Sequence, residues 1–383
     1  MFLKISIGEM YNGFFVRCDK PYYVAAGRYV GNRRYFNFFG NKKENRVGML
    51  LPMGFGAILV NIPLTNVLSE ASGGSQGIIE WLFKMGIEAS EAFPILLFIG
   101  IGAMIDFEPL LNNPKLMILG VFAQTGIFLT IIFASLLGFD LVDAASIGII
   151  GAADGPTSIL VAMKLGSKYL GAISIAAYSY MALVPIIQPP VIRLLTTKKE
   201  RLIKMDGDYK KISKPVKILF PIAVTFISGI IAPKSLALIG FLMFGNLLAV
   251  CGETAGLADT AKTTLVNLIT ILLGITISFQ MKAESFLSLD TLMIMGLGLV
   301  AFIFDTAGGI LCAKLINVFS KKKINPMIGA AGISAFPISA RVVHKMGLKE
   351  DRSNFLIMHA TGANVSGQIA SAVAGGLILG LVI

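Results

Sequence analysis

Runs of close to twenty uncharged, apolar residues recur along the chain after residue 46, and no other feature constrains its fold as much. Coiled as helix, such a run spans a hydrocarbon layer roughly 30 Å thick. In lipid only helices and closed barrels satisfy their own backbone polar groups. The runs are continuous and do not alternate with period two, which disfavours a transmembrane β-barrel. Of 383 residues 55% are hydrophobic and only 14% charged, whereas a soluble domain carries about 25% charge. The expected fold class is therefore an all-α membrane protein, a polytopic helical bundle. A soluble enzyme is ruled out. So is a disulfide-stapled secreted domain, because Cys18, Cys251 and Cys312 have no paired spacing. His344 and His359 are the only histidines and leave little room for imidazole chemistry.

The charge is concentrated. Residues 1–46 hold nine Lys and Arg against three acids, and residues 198–217 hold eight against three. These two islands supply the whole formal net charge of +11. Basic loops of this length stay in the cytoplasm, so the chain divides into a basic N-terminal extension (1–46), a first membrane repeat (47–197), a basic cytoplasmic loop (198–217) and a second membrane repeat (218–383). The expected setting is a multi-pass protein of the cell inner membrane. Flanking apolar spans argue against nucleic acid as the partner of the basic segments; the partner is the lipid bilayer. The extension lacks a signal-peptide layout and reads as a mobile or surface-lying cytoplasmic arm.

Candidate spans lie near 47–64, 77–87, 92–107, 116–138, 144–165 and 170–195, then 216–232, 235–251, 264–281, 290–319, 325–346 and 354–383. Segments 77–87 and 235–251 are short or Gly-interrupted and read as half-helices, re-entrant pieces or crossings. Features recur in order across the two sets: 49–54 corresponds to 218–223, and 97–107 to 270–279. Ile150-Gly151-Ala152-Ala153 before a helix breaker recurs as Ile328-Gly329-Ala330-Ala331 before another. Two internal repeats, each with a broken transmembrane helix, are expected, inverted or parallel. Interrupted segments in matching positions of two repeats point to a midplane binding site.

In the first broken segment Asp154-Gly155-Pro156-Thr157-Ser158 interrupts an apolar helix. Proline removes a donor and glycine loosens the backbone, so the helix breaks there. Freed carbonyls, a carboxylate and two hydroxyls then meet at mid-depth, and such hard oxygens replace the water of an alkali cation. A carboxylate there costs several kcal/mol unless paired, protonated or hydrated. Asp154 also has the position of a helix cap, and the two roles are compatible. The second break, Gly332 to Pro337, carries no acid; Asn325, Ser334, Ser339 and Arg341 supply its polar atoms. If the breaks face each other, Asp154 supplies charge while Asn325 and Ser334 add neutral oxygens. Ser334 reads equally as a small packing residue. Arg341 either faces a carboxylate or snorkels to the surface. Tyr178 or Tyr180 presents a hydroxyl to the site or packs in an aromatic layer. Asn364 and Gln368, spaced i, i+4, line a pathway or only bond neighbouring helices. Asp305 is a lower-ranked intramembrane acid. Ala162-Met163-Lys164-Leu165 resembles a biotin attachment motif, but it ends a membrane helix, and no nucleotide loop of the GxxxxGK[ST] type is present.

GAADGPTSI at 151–159, NPMIGAAGISAFPISARVVHKMG at 325–347 and HATGANVSGQIASAVAGG at 359–376 resemble the β subunit of the sodium-translocating biotin-dependent decarboxylases. The resemblance runs over roughly 47–383. It implies a subunit that decarboxylates carboxybiotin while exporting Na+ and taking up a proton. The biotin is held by a partner and not by this chain. Implied partners are a biotin carrier subunit, a carboxyltransferase subunit and a small membrane-anchored subunit, in an assembly that includes a homo-oligomer. The family's implicated positions fall on Asp154, Asn325, Gly329 and Ser334 as the metal set, with Tyr180 and Arg341 in catalytic roles. The rival reading is a sodium-coupled secondary transporter of a small organic anion, for which broken repeats and a midplane acid are equally expected.

Overall fold

The computed structural model describes residues 49–62, 67–68, 77–89, 91–205, 210–282 and 288–382. The basic extension and residues 206–209 of the basic loop lie outside them. Every regular element among the described residues is helical: α1 (Leu50–Val60), α2 (Ile78–Phe83), α3 (Ala92–Met104), α4 (Glu108–Asn112), α5 (Leu116–Phe122), α6 (Thr125–Leu136), α7 (Leu141–Gly148), α8 (Gly155–Lys164) and α9 (Leu170–Leu195). They continue as α10 (Lys198–Arg201), α11 (Lys214–Ile231), α12 (Leu236–Cys251), α13 (Ala255–Thr260), α14 (Val266–Ile277), α15 (Leu289–Phe319), α16 (Met327–Ala330), α17 (Ile338–Glu350) and α18 (Ile357–Val382). Among the described residues seven helices are long and apolar enough to cross a membrane. The all-α membrane bundle is as expected from the apolar runs.

The bundle is inside-out relative to a soluble protein. Leu219, Phe226 and Ile230 of α11 are exposed, on a face that lipid would cover. The buried centre holds polar side chains, among them Asp154, Asp305, Asn364 and Gln368. Small residues bring helix backbones together, as in membrane packing generally. A Cβ on Gly245 of α12 would strike the Ile99 carbonyl of α3, and one on Gly309 of α15 would strike Gly329 of α16. This explains why the glycines of 235–251 do not shorten that segment. It forms a 19-residue helical span from Pro233 to Cys251, with Gly245 used for close contact and Asn246 donating to the Ile105 carbonyl at 2.8 Å.

The broken segments depart from expectation. Segment 144–165 is not a crossing helix with a break; it is a hairpin. Asp143 near its start accepts from Ser167 Oγ just beyond its end at 2.7 Å, and Lys168 lies 3.5 Å from the same carboxylate. Segment 325–346 also turns back. At its start Asn325 donates to the carbonyls of Arg201 and Ile203 at 2.9 and 2.8 Å, and at its end Glu350 pairs with Arg201 at 2.7 Å. The second hairpin therefore opens at the basic-loop end of the bundle. The first opens at the opposite end, because α9 runs the length of the bundle from its Asp143 contacts to the basic loop. A half-helix is as apolar as a whole one, so only the contacts between the two ends reveal the return.

Neighbouring helices keep this opposition. Helices α5 and α6 run away from the basic-loop end, since α5 lies parallel to α18, Leu116 meeting Gly362 and Gly120 meeting Ser366 and Gly367. Helix α15 runs toward it, with Asp290 at its start bonded by Tyr169 and Lys314 near its end 3.1 Å from Glu200. Helix α9 returns to the basic-loop end after the first hairpin, and α18 leaves it after the second. The trio α5/α6, first hairpin, α9 thus has the opposite sense to the trio α15, second hairpin, α18. At the basic-loop end the latch is closed by Asp351, 3.0 Å from Lys204. The backbone and hydroxyl of Ser353, then Lys204, pull its carboxyl down to about 2, so this contribution is full above the ordinary carboxylate range and fades as pH falls from there through about 2.

Gly245→Ala is expected to destabilise the bundle by about 1–3 kcal/mol, the usual cost of overpacking. Gly296→Ala, at a position with nothing within 4 Å, should be neutral. Thermal unfolding in detergent checks the pair, and equal midpoints for both variants would contradict the close α3–α12 contact.

Candidate cation site

The two hairpin tips meet. At the first, a 3-10 turn (Ile149–Ala152) ends on Ala153 in the left-handed region (φ 52°), Asp154 is extended, and Gly155-Pro156 start α8. At the second, α16 unwinds over 331–337 before α17. The Ser334 amide donates to the Ala152 carbonyl across the gap at 3.2 Å. A carbonyl freed by one break is thus satisfied by an amide freed by the other, which is what apolar surroundings demand.

A face of α18 lies along both tips. Asn364 Nδ2 donates to the Ile333 carbonyl at 2.6 Å, Gln368 Nε2 donates to the Ser334 carbonyl, and Ser371 Oγ donates to Asp154 Oδ2 at 3.4 Å. Spacing i, i+4, i+7 puts these three on one stripe. Asp154, only 3% exposed, also accepts from Thr157 Oγ1 at 2.6 Å. It occupies the N-cap position of α8, yet its side chain takes that hydroxyl and no backbone amide of the helix. Each amide side chain of the stripe gives one N–H to a carbonyl of the second tip. Asn364 Oδ1 and Gln368 Oε1 are buried without a partner among the described residues. Such acceptors are costly unless something electropositive joins them.

One carboxylate, two hydroxyls and two amide oxygens beside the tips fit a monovalent cation with hard-oxygen preference. Among the described residues no cluster of three or more His, Cys, Asp and Glu suits a transition metal.

The residues expected at the site are partly dispersed. Asp154 and Ser334 are at the tips, with Ser334 Oγ donating to the Gly367 carbonyl at 2.8 Å. Asn325 is at the other end of its hairpin, its Nδ2 on the basic loop and its Oδ1 accepting from Met327 at 3.1 Å; the expected pairing of its oxygen with Asp154 does not occur. Gly329 packs against Gly309. Tyr180 donates to the Met295 carbonyl of α15, whereas the Tyr178 ring covers Gly155, where a Cβ would strike it. Arg341 is exposed, and with Arg193, Lys345 and Lys349 it lines a cavity of about 120 Å³ between α9 and α17 at the basic-loop end. The cavity wall also includes Ile338, Val342 and Met346, and no acid.

Sequence reasoning missed Ser371, seven residues after Asn364 on its stripe, because an isolated serine in an apolar helix ordinarily packs. It also passed over Gln188, which bonds the Ala330 carbonyl at 2.7 Å and Ser339 Oγ at 2.9 Å and braces the second hairpin from α9.

The family model described as "Na+-transporting oxaloacetate decarboxylase beta subunit" matches residues 33–382, reaching further back than the motifs that begin after residue 46. The chain is 46% identical over 369 residues to methylmalonyl-CoA decarboxylase subunit beta of Propionigenium modestum, covering 90% of this chain and 92% of that one. It is 48% identical to glutaconyl-CoA decarboxylase subunit beta of Acidaminococcus fermentans, over 87% of each chain. It is also 48% identical to the oxaloacetate decarboxylase beta chain of Klebsiella pneumoniae, over 82% of this chain and 73% of the relative.

Asn325→Ala should release the stretch around residues 201–205, since three polar contacts of one buried side chain are lost, each worth about 1–3 kcal/mol when its partner is left unsatisfied. Faster amide exchange over that stretch is the expected reading; exchange as slow as in the wild type would contradict the structural role.

Proposed function

Because this chain belongs to the β-subunit family of the Na+-transporting decarboxylases, we propose that carboxybiotin on a carrier subunit is decarboxylated at this chain while sodium leaves through the site between the two hairpin tips. Sodium transport coupled to decarboxylation is the function that family membership gives it. The observation that carries the siting is Asp154 beside a stripe of α18 whose two amide oxygens, on Asn364 and Gln368, have no other partner among the described residues.

Sodium is the cargo. With the ion present, Asp154 supplies the neutralising charge and Thr157, Ser371, Asn364 and Gln368 replace its water. The bare carboxylate left on release is disfavoured in low dielectric and takes a proton instead, so the site alternates between two neutral states. Moving one charge against 100 mV takes about 2.3 kcal/mol, a load that loss of carbon dioxide can drive. The hairpins open toward opposite ends of the bundle, so withdrawing one tip exposes the site to one side only. We take the basic-loop end as cytoplasmic on the positive-inside rule, and the two opposed trios as inverted copies of one unit.

Arg341 lies at the tip-proximal start of α17, in the cavity with Arg193, Lys345 and Lys349. Its guanidinium can hold a carboxylate in bidentate fashion, and the apolar wall suits the ring system of biotin. The biotin is supplied by a carrier subunit, loaded by a carboxyltransferase subunit, with a small membrane-anchored subunit and further copies of this chain completing the assembly in the inner membrane. Here Tyr180 acts through α15, holding Met295, and not on the substrate directly.

In vesicles carrying the assembled complex, Asp154→Asn is expected to abolish sodium stimulation of decarboxylation and to cut sodium export by on the order of a hundredfold, the equivalent of a charge-assisted contact of about 3 kcal/mol. Ser371→Ala should raise half-saturating sodium about three- to tenfold with the maximal rate little changed. Sodium stimulation that survives in Asp154→Asn would refute the reading.

A further inference from the structure

Asp305 is the other acid in the middle of the bundle, and the mechanism above does not use it. It stands near the centre of the 31-residue helix α15 and is fully buried. Its Oδ1 accepts the Gly126 amide of α6 at 2.5 Å. Its Oδ2 makes no well-aligned hydrogen bond among the described residues, although the Ile127 amide lies beside it. Two glycines make room for the carboxyl: a Cβ on Gly126 would sit 2.7 Å from Oδ1, and one on Gly151 would sit 2.5 Å from Oδ2. Gly151 belongs to the turn that ends one residue before the left-handed Ala153, and Asp154 follows. This oxygen therefore rests against the backbone of the first hairpin, three residues before the acid of the cation site.

No charge offsets it. Helices α5, α6 and α16 and the 149–152 turn pack on α15 and carry no Asp, Glu, Lys, Arg or His. Helix α7 brings Asp143, which is engaged with Ser167 and Lys168 at its far end. Helix α9 brings Tyr178 against Gly155, Tyr180 on the Met295 carbonyl, and Arg193 in the basic cavity. Helix α15 itself adds Asp290, bonded by Tyr169, the buried thiol Cys312, and Lys314 beside Glu200. Beside Gly151 the nearest neighbours of Oδ2 are the Ala301 methyl and the Ile127 amide, neither of which offers an oxygen to a cation. A sodium ion needs several oxygens here, whereas a proton needs one.

We propose that Asp305 is a proton-binding site of the transport cycle, holding one exchangeable proton on Oδ2 while the first hairpin lies against it. When that turn withdraws and water enters, the O–H bond breaks, the proton passes to water and a carboxylate is left; the return reverses each step. An uncharged carboxyl packs against Gly151 and a carboxylate calls for water, so proton occupancy and hairpin position are linked reciprocally. This inference rests on the reading of Asp154 as the sodium ligand and adds a second titrating group to it.

The test uses the whole complex in vesicles. Asp305→Asn keeps the shape and cannot ionise. It is expected to bind sodium as the wild type does while exporting it slower by on the order of a hundredfold, with a flattened pH profile. In the wild type, dicyclohexylcarbodiimide, which attacks protonated carboxyls in apolar surroundings, should modify Asp305, and less so as pH rises, read by peptide mass spectrometry. That measurement needs no variant and so decides the matter if Asp305→Asn does not fold. Export by Asp305→Asn with the wild-type rate and pH profile overturns the proposal, as does an Asp305 unmodified at every pH at which the complex works. If Asp154→Asn keeps its sodium stimulation, the sodium site itself falls, whatever Asp305 does; loss in Asp154→Asn with no effect in Asp305→Asn removes the proton site alone.

Discussion

The interaction on which the structure turns is the hydrogen bond from the Ser334 amide to the Ala152 carbonyl, where two broken helices meet. Apolar surroundings offer a snapped helix no water, so every freed amide and carbonyl has to find protein. The tips solve this for each other and through α18, whose Asn364 and Gln368 give their N–H groups to Ile333 and Ser334. That satisfaction has a side effect. Each amide gives an N–H to backbone and leaves its oxygen buried without a partner among the described residues, on the same stripe as the Ser371 that reaches Asp154. The side chains that stabilise the break are the same ones proposed above to receive a cation.

In the proposed transport cycle the opposed hairpins are the moving parts. Each hairpin is tied at its open end, by Asp143 with Ser167 at one and by Asn325 and Glu350 with the basic loop at the other. Between the tips the direct backbone link is one 3.2 Å bond, a weak contact compared with the packed helices around it. The close Gly245–Ile99 and Gly309–Gly329 approaches add tight backbone packing around them.

The chain's apolar runs made the helical bundle legible, and Gly-Pro in an apolar helix made the first break and its acid legible, because those residues act locally. Direction was not legible. A re-entrant half-helix and half of a crossing have the same composition, and the bond that distinguishes them joins Ser167 to Asp143 across 24 positions. Asn325 is the clearest case of a residue misplaced by reading along the chain: it shares a segment with Ser334, but the segment folds back and leaves its side chain on the basic loop. Ser371 illustrates the converse, since its meaning depends on Asp154, which is 217 positions away.

The most direct test of the central claim is a density map of the assembled complex in sodium and in a sodium-free buffer, at a resolution that separates ions from side chains. The expected result is a peak beside Asp154, within coordinating reach of Ser371 and the side-chain oxygens of Asn364 and Gln368, present only with sodium. An Asp154 carboxylate open to bulk water or paired with a lysine or arginine, with no peak between the tips, would contradict it.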